Sequence, residues 1–196
     1  MRFIHVGVGG FGLGWINYLK DEAGAEVVAM VDLSEEALKA ACEEGGYSSD
    51  ICFQNIDDAL AAVEADAMIV VTPPQYHCDP VIKGLEAGLD VISEKPMADS
   101  MENCRKMLQA AKDTGRTYVV SQNYRYTPDT WTIADLVRQG KIGEVGQVNI
   151  DFFLGMDFGG GFRHSMEHPL IVDMSILHCD LIRFITGLNP VSVSGD

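Results

Sequence analysis

Short apolar runs rich in Val and Ile alternate with longer amphipathic stretches through the first two-thirds of the chain. Phe3–Val8, Val27–Val31, Ala67–Val71, Val91–Ser93 and Thr117–Ser121 are nearly continuous in apolar character, as strands buried on both faces of a parallel sheet are. Between them, Glu35–Glu44 and Met101–Thr114 carry helical patterning, with Ser34 and Ser100 placed as N-caps. Strand–helix–strand repetition at this spacing predicts an α/β fold, a doubly wound parallel sheet.

The pattern changes after Ser121. Thr127–Gln139 reads as a helix, Gly140–Gly143 as a turn and Val145–Leu154 as a long strand. A glycine-rich loop, Gly155–Gly161, precedes a helix from about Pro169 to Thr186, and Val191–Val193 looks like the opening of one more strand. The expected organisation is a nucleotide-binding domain over residues 1–121 and an incomplete α+β domain over 122–196. Val145–Leu154 is expected to lack partners within the chain, and Gly155–Pro169 to be poorly ordered. The chain then reads as a fragment or an early stop. Its unfinished sheet, if covered at all, calls for a second copy, a homo-oligomer through the second domain.

Charge narrows the partners. The 196 residues hold 14 Lys+Arg against 29 Asp+Glu, a formal net charge of −15. Nucleic acid and anionic membranes would be repelled by such a surface, so neither is expected. No apolar run reaches the roughly 18 residues of a membrane-spanning helix. Five scattered cysteines without a Cys-x-x-Cys pair read as reduced, mostly buried thiols. A first strand beginning at once after Arg2 shows no leader pattern, and a cytoplasmic location is expected. His164, His168 and His178 with Asp173 match no standard metal spacing, so no metal is expected.

One small anion remains accessible to so acidic a chain. Gly7-Val8-Gly9-Gly10-Phe11-Gly12 matches G-x-G-x-x-G between the first strand and a helix. Gly7 suits the tight turn, Gly9 lets the backbone approach a pyrophosphate, and Gly12 permits close helix–strand packing. The helix start then offers unpaired N–H groups and a positive dipole end to phosphates. Asp32 lies at the end of the second strand, where a carboxylate accepts a ribose diol. Residues 33–36 hold no Lys or Arg for a 2′-phosphate, so NAD is expected over NADP.

Three further motifs carry a family resemblance: Val71-Thr72-Pro73-Pro74 with His77, then Glu94-Lys95-Pro96, then Gln122-Asn123-Tyr124-Arg125-Tyr126. With the glycine fingerprint they resemble the Gfo/Idh/MocA family, of glucose–fructose oxidoreductase and inositol dehydrogenase type, from Arg2 through Gly187. All fall at the carboxyl ends of strands, where open α/β sheets place ligands. Thr72, Pro73 and Pro74 form a rigid edge able to lie beside an adenosine or ribose, and His77 supports that cofactor site. The resemblance implies that Lys95 is the shared catalytic and substrate-binding residue, placed to stabilise negative charge on a substrate oxygen. Glu94 orients Lys95 or balances its charge, and the resemblance implies that both also border the cofactor. Tyr124 and Arg125 are expected to line a cleft or to form a structural pair, and Arg163 to reach the substrate from a loop.

The chain departs from the family at one point. Members commonly carry Asp-x-Gly-x-His-x-x-Asp on a helix of the second domain; here the stretch is Asp173-Met174-Ser175-Ile176-Leu177-His178-Cys179-Asp180. Leu177 stands where the histidine belongs, and leucine transfers no proton. On a regular helix, position 177 lies about 40° around from Asp173 and His178 about 140°. His178 therefore reaches the site only if the helix is locally distorted, and otherwise packs. Asp173 remains able to hold a substrate hydroxyl. The implied function is an NAD-dependent oxidoreductase of a sugar, polyol or cyclitol. The alternative is an NAD-binding protein without turnover, a sensor or subunit.

Overall fold

The computed structural model describes residues 1–155 and 161–195. They divide into two units, Met1–Ser121 and Gln122–Asp196. The first unit is built on six parallel strands, β1 (Arg2–Val6), β2 (Glu26–Val31), β3 (Cys52–Phe53), β4 (Ala67–Val70), β5 (Asp90–Ser93) and β6 (Tyr118–Val120). Their spatial order is β3-β2-β1-β4-β5-β6, the Rossmann arrangement, whose order reverses between β1 and β4.

The strands' side chains alternate between two cores. On one face Val27, Met30, Ile69 and Val71 pack against α1 (Phe11–Asp21) and α2 (Glu35–Gly45) through Ile16, Leu19, Leu38 and Ala41. On the other, Ile4, Val6, Met68, Val70 and Val91 meet α3 (Ile56–Ala62), α4 (Cys78–Glu86) and α5 (Met101–Thr114) through Ala59, Val81, Leu85 and Met107. A sheet so covered explains why its strands read as continuous apolar runs.

Both expected caps form. The Ser34 hydroxyl accepts from Ala37 N at 3.2 Å and that of Ser100 from Asn103 N at 3.2 Å. The short β3 and α3 escape the sequence pattern because β3 is only two residues long.

In the second unit, α6 (Pro128–Arg138) and α7 (Ile176–Thr186) pack together, with the Trp131 and Phe184 rings 5.7 Å apart. Gly140 and Gly143 take positive φ in the turn after α6, as expected there. The strand expected at Val145–Leu154 does not form: these residues join no ladder, and neither do Val191–Val193. A strand exists only when a neighbour accepts and donates its backbone hydrogen bonds, and none lies beside either segment among the described residues. The segment expected to be poorly ordered, Gly155–Pro169, lies partly outside the described residues; its later portion includes a 3₁₀ turn, Phe162–Ser165. The helix expected from Pro169 begins as a π-helical segment, Leu170–Ser175, before continuing as α7.

The thiols are less buried than expected. Cys42, Cys52, Cys78 and Cys104 are half-buried, Cys179 is exposed, and all five are free. Cys42 and Cys52 have their sulfurs 3.3 Å apart.

Candidate functional site

Because all six strands run the same way, the loops after β1, β2, β4 and β5 emerge along one edge of the sheet. Gly7 leaves β1 with φ +83°, and a Cβ there would stand 2.8 Å from the Val71 carbonyl carbon and oxygen. A Cβ on Gly12 would stand 1.9 Å from Gly7 O. Both glycines are therefore demanded by backbone-to-backbone packing. Gly10 has φ +51° with open space around its Cβ position, and a Gly9 Cβ would meet only Ala37 Cβ at 3.3 Å and Asp32 Oδ2 at 3.7 Å. Phe11 begins α1 with its ring exposed, so its contribution to the loop is its backbone. The first N–H groups of α1 have no carbonyl above them in the helix.

Asp32 does more than the sequence predicts. Its Oδ2 accepts from Val8 N at 3.0 Å and Gly9 N at 3.2 Å, and its Oδ1 accepts from Ser34 N at 2.9 Å. The carboxylate thus shapes the glycine loop while retaining acceptor capacity, since a carboxylate has about four lone-pair sites. The cradle at Gly7 and Gly12, the open ground at Gly10 and this anchored carboxylate fit a dinucleotide: α1 would receive the pyrophosphate and Asp32 a ribose.

The loop after β4 carries Thr72, Pro73 and Pro74. Thr72 Oγ1 is buried without a hydrogen-bond partner among the described residues, and Pro74 is buried at the start of a 3₁₀ turn. His77 is fully buried. Its Nε2 lies 2.6 Å from Thr72 O, and its Nδ1 lies 3.1 Å from Pro96 O and 3.2 Å from Met97 O. The ring therefore lies between the Thr72 and Lys95 loops, and in its neutral form its single N–H donates to one of them. Burial lowers its pKa, against the three carbonyls and Glu94, which favour the proton.

Glu94 is buried after β5. Its Oε1 accepts from Trp15 Nε1 at 2.9 Å and its Oε2 from Lys95 N at 3.1 Å. Its observed bonds are to the Lys95 backbone, in line with the orienting use the sequence suggests, and to Trp15 of α1. Lys95 follows, half-buried, with a cis peptide to Pro96.

Two residues of this edge were missed. His5, in β1, is fully buried with neither ring nitrogen hydrogen-bonded among the described residues. Its Nε2 lies 3.7 Å from where a Gly12 Cβ would stand. Burial depresses its pKa to about 4, opposed by the charge of Asp32. The signal was present: one polar residue in an otherwise apolar run, two positions before the glycine loop. Trp15 had none, since its partner Glu94 is 79 positions away.

In the second unit, Asp173 is fully buried within the π-helical segment and pairs with Arg163, Nε to Oδ2 2.7 Å. Two residues expected to reach a substrate therefore meet each other. Arg125, likewise expected at a substrate, makes a bidentate ion pair with Asp180 and lies over the Phe184 ring at 5.4 Å. Asp180, of α7, is thus the observed partner of Arg125 within the second unit. Leu177 is buried at 3% exposure. His178 is half-buried, its ring 4.6 Å from that of Phe152 and 6.4 Å from that of Tyr124. The π-helical segment is the local distortion that the regular-helix geometry of Asp173, Leu177 and His178 leaves out; such segments are frequent at functional sites. Among the described residues no group of three or more His, Cys, Asp or Glu side chains is placed to hold a metal ion, and no helix is long and apolar enough to cross a membrane.

A six-stranded Rossmann sheet with a glycine-loop cradle and an anchored ribose carboxylate defines a dinucleotide-binding protein. Residues 1–122 match the model of the Gfo/Idh/MocA family, described as an oxidoreductase family with an NAD-binding Rossmann fold, and the chain belongs to that family. Inositol 2-dehydrogenase of Rhizobium meliloti is 30% identical over 204 residues, covering 99% of this chain and 57% of the relative. Among solved structures, myo-inositol 2-dehydrogenase from Lactobacillus plantarum superposes with a TM-score of 0.84 at 26% identity, over 97% of this chain and 57% of its own. Scyllo-inositol dehydrogenase from Lactobacillus casei, solved with bound NAD(H) and scyllo-inositol, gives 0.83 at 26% identity, over 95% and 56%. The chain thus spans a little over half the length of these relatives.

Proposed function

We propose that this chain serves an NAD-dependent oxidoreductase acting on a hydroxyl of a sugar, polyol or cyclitol. The observation that carries this reading is Lys95, placed on the same sheet edge as the glycine loop with its backbone N–H held by Glu94. The relatives named for inositols favour a cyclitol. Gly7, Gly9, Gly10, Phe11, Gly12, Asp32, Thr72, Pro73 and Pro74 are the proposed cofactor contacts, with His77 and Glu94 supporting them from behind. NAD, when bound, supplies the hydride acceptor or donor at its nicotinamide. Lys95 donates a hydrogen bond to the substrate oxygen and stabilises the negative charge that develops there, where a preorganised ammonium out of bulk water is most effective. Asp173 and Arg163, with Tyr124, are proposed to orient substrate hydroxyls. His178, its ring tilted against that of Phe152, is the remaining proton-transfer candidate. Five free thiols suit a reducing cytoplasm. The exposed Phe152, Phe153 and Ile150 suit a homo-oligomer formed through this segment.

Leu177, buried where relatives of this type commonly carry a histidine, favours a second reading: NAD binding without turnover. The test is NADH formation by the purified protein with NAD and a panel of inositols, sugars and sugar acids, beside a Leu177→His variant. Turnover by the unaltered protein is the expected result. Turnover by the variant alone, with NAD bound equally by both, would establish the second reading and overturn the first.

A further inference from the structure

We propose that Trp15 is a positioning residue for Lys95, acting through Glu94. The inference rests on the reading of Lys95 as the group that meets the substrate oxygen, but its geometry belongs wholly to the first unit.

A buried carboxylate is tolerated only when its oxygens receive donors. Glu94, 8% exposed, receives one N–H on each: the Trp15 indole on Oε1 and the Lys95 backbone on Oε2. Indole is a donor only and cannot exchange roles, so it fixes which oxygen is left for Lys95. Trp15 stands four residues after Phe11, and helical side chains lean toward the N-terminus, which carries the indole back toward the phosphate-binding turn. The helix that presents its first N–H groups to a dinucleotide therefore also holds, through one carboxylate, the backbone of the lysine. From the other side, Nδ1 of the His77 ring lies within hydrogen-bond distance of the two carbonyls that follow, Pro96 O and Met97 O. Lys95 is bracketed: its own N–H is held by Glu94, which Trp15 of α1 holds in turn, and the next two carbonyls face the His77 ring. Removing the indole N–H leaves Glu94 Oε1 buried without a donor. The carboxylate then turns toward water and releases Lys95 N.

The test needs no substrate. Lysine acetylation by trace acetic anhydride, followed by peptide mass spectrometry across pH, reads the exposure and protonation of each amine separately. In Trp15→Phe, which keeps an aromatic ring without the donor, Lys95 should label at least about threefold faster while the other lysines keep their rates. Trp15→His, which restores a ring N–H, should recover part of the difference. A Lys95 labelling profile identical to the unaltered protein in folded Trp15→Phe overturns the proposal. If that variant fails to fold, Glu94→Gln provides the same decision, since an unchanged Lys95 profile there overturns it equally. Lys95→Ala separates the two readings: full turnover of myo-inositol in that variant refutes the role of the lysine without touching the labelling result.

Discussion

Asp32 shows how one side chain joins local structure to recognition. Its three backbone donors, Val8 N, Gly9 N and Ser34 N, tie the glycine loop to the start of α2. Asp32→Ala should therefore lower NAD affinity by about 10- to 100-fold, as expected for losing charge-assisted hydrogen bonds, and should narrow the preference over NADP. Isothermal titration with both dinucleotides checks this. His5 sets a pH limit instead. Its folded pKa is lowered to about 4 from 6.5, so the unfolded chain binds the extra proton first as pH falls. Stability is full above about pH 6.5 and declines between there and pH 4, by about 2–3 kcal/mol at pH 4.5 from this group alone. Urea unfolding at pH 4.5 and pH 7 should show that loss, and His5→Leu should remove most of the difference between the two pH values.

At the scale of elements, periodicity and capping explain what was legible. Ser100 precedes a helix that runs as expected from Met101 to Thr114, because its hydroxyl answers one of the first-turn N–H groups. Ser100→Ala should cost about 1 kcal/mol, read as a lowered urea midpoint, while the Rossmann strands keep their circular-dichroism signature. Val145–Leu154 failed for the opposite reason. Its apolar composition is that of a strand, yet composition cannot provide the neighbouring backbone a strand needs. The π-helical turn at Leu170–Ser175 was equally invisible, since nothing in Leu-Ile-Val-Asp-Met-Ser distinguishes a wide turn from a regular one. It is the burial of Asp173 against Arg163 that the turn accompanies.

For the whole molecule, the two hydrophobic cores are the organising fact. Every residue of both lies at or before Tyr118, and so do the glycine loop, Asp32, Thr72, His77 and Lys95. A chain of residues 1–121 should therefore fold by itself and bind NAD within about threefold of the full chain, a result that circular dichroism and calorimetry would decide. Loss of NAD binding in a folded fragment would show that the second unit contributes directly to the cofactor site.

The sequence by itself determined the parallel α/β class and the NAD-binding turn, because glycines, caps and apolar periodicity act over a few residues. It also marked Lys95, through the motif that surrounds it. Only the tertiary structure decided what the charged side chains do. Asp32, expected at a ribose, also holds the glycine loop, Arg163 and Arg125 are engaged by Asp173 and Asp180, and Glu94 joins Trp15 to Lys95. Apart from the contact between the adjacent Glu94 and Lys95, those pairings span 10 to 79 positions. No local preference encodes them, since each forms only after burial has removed the water that would otherwise solvate both partners.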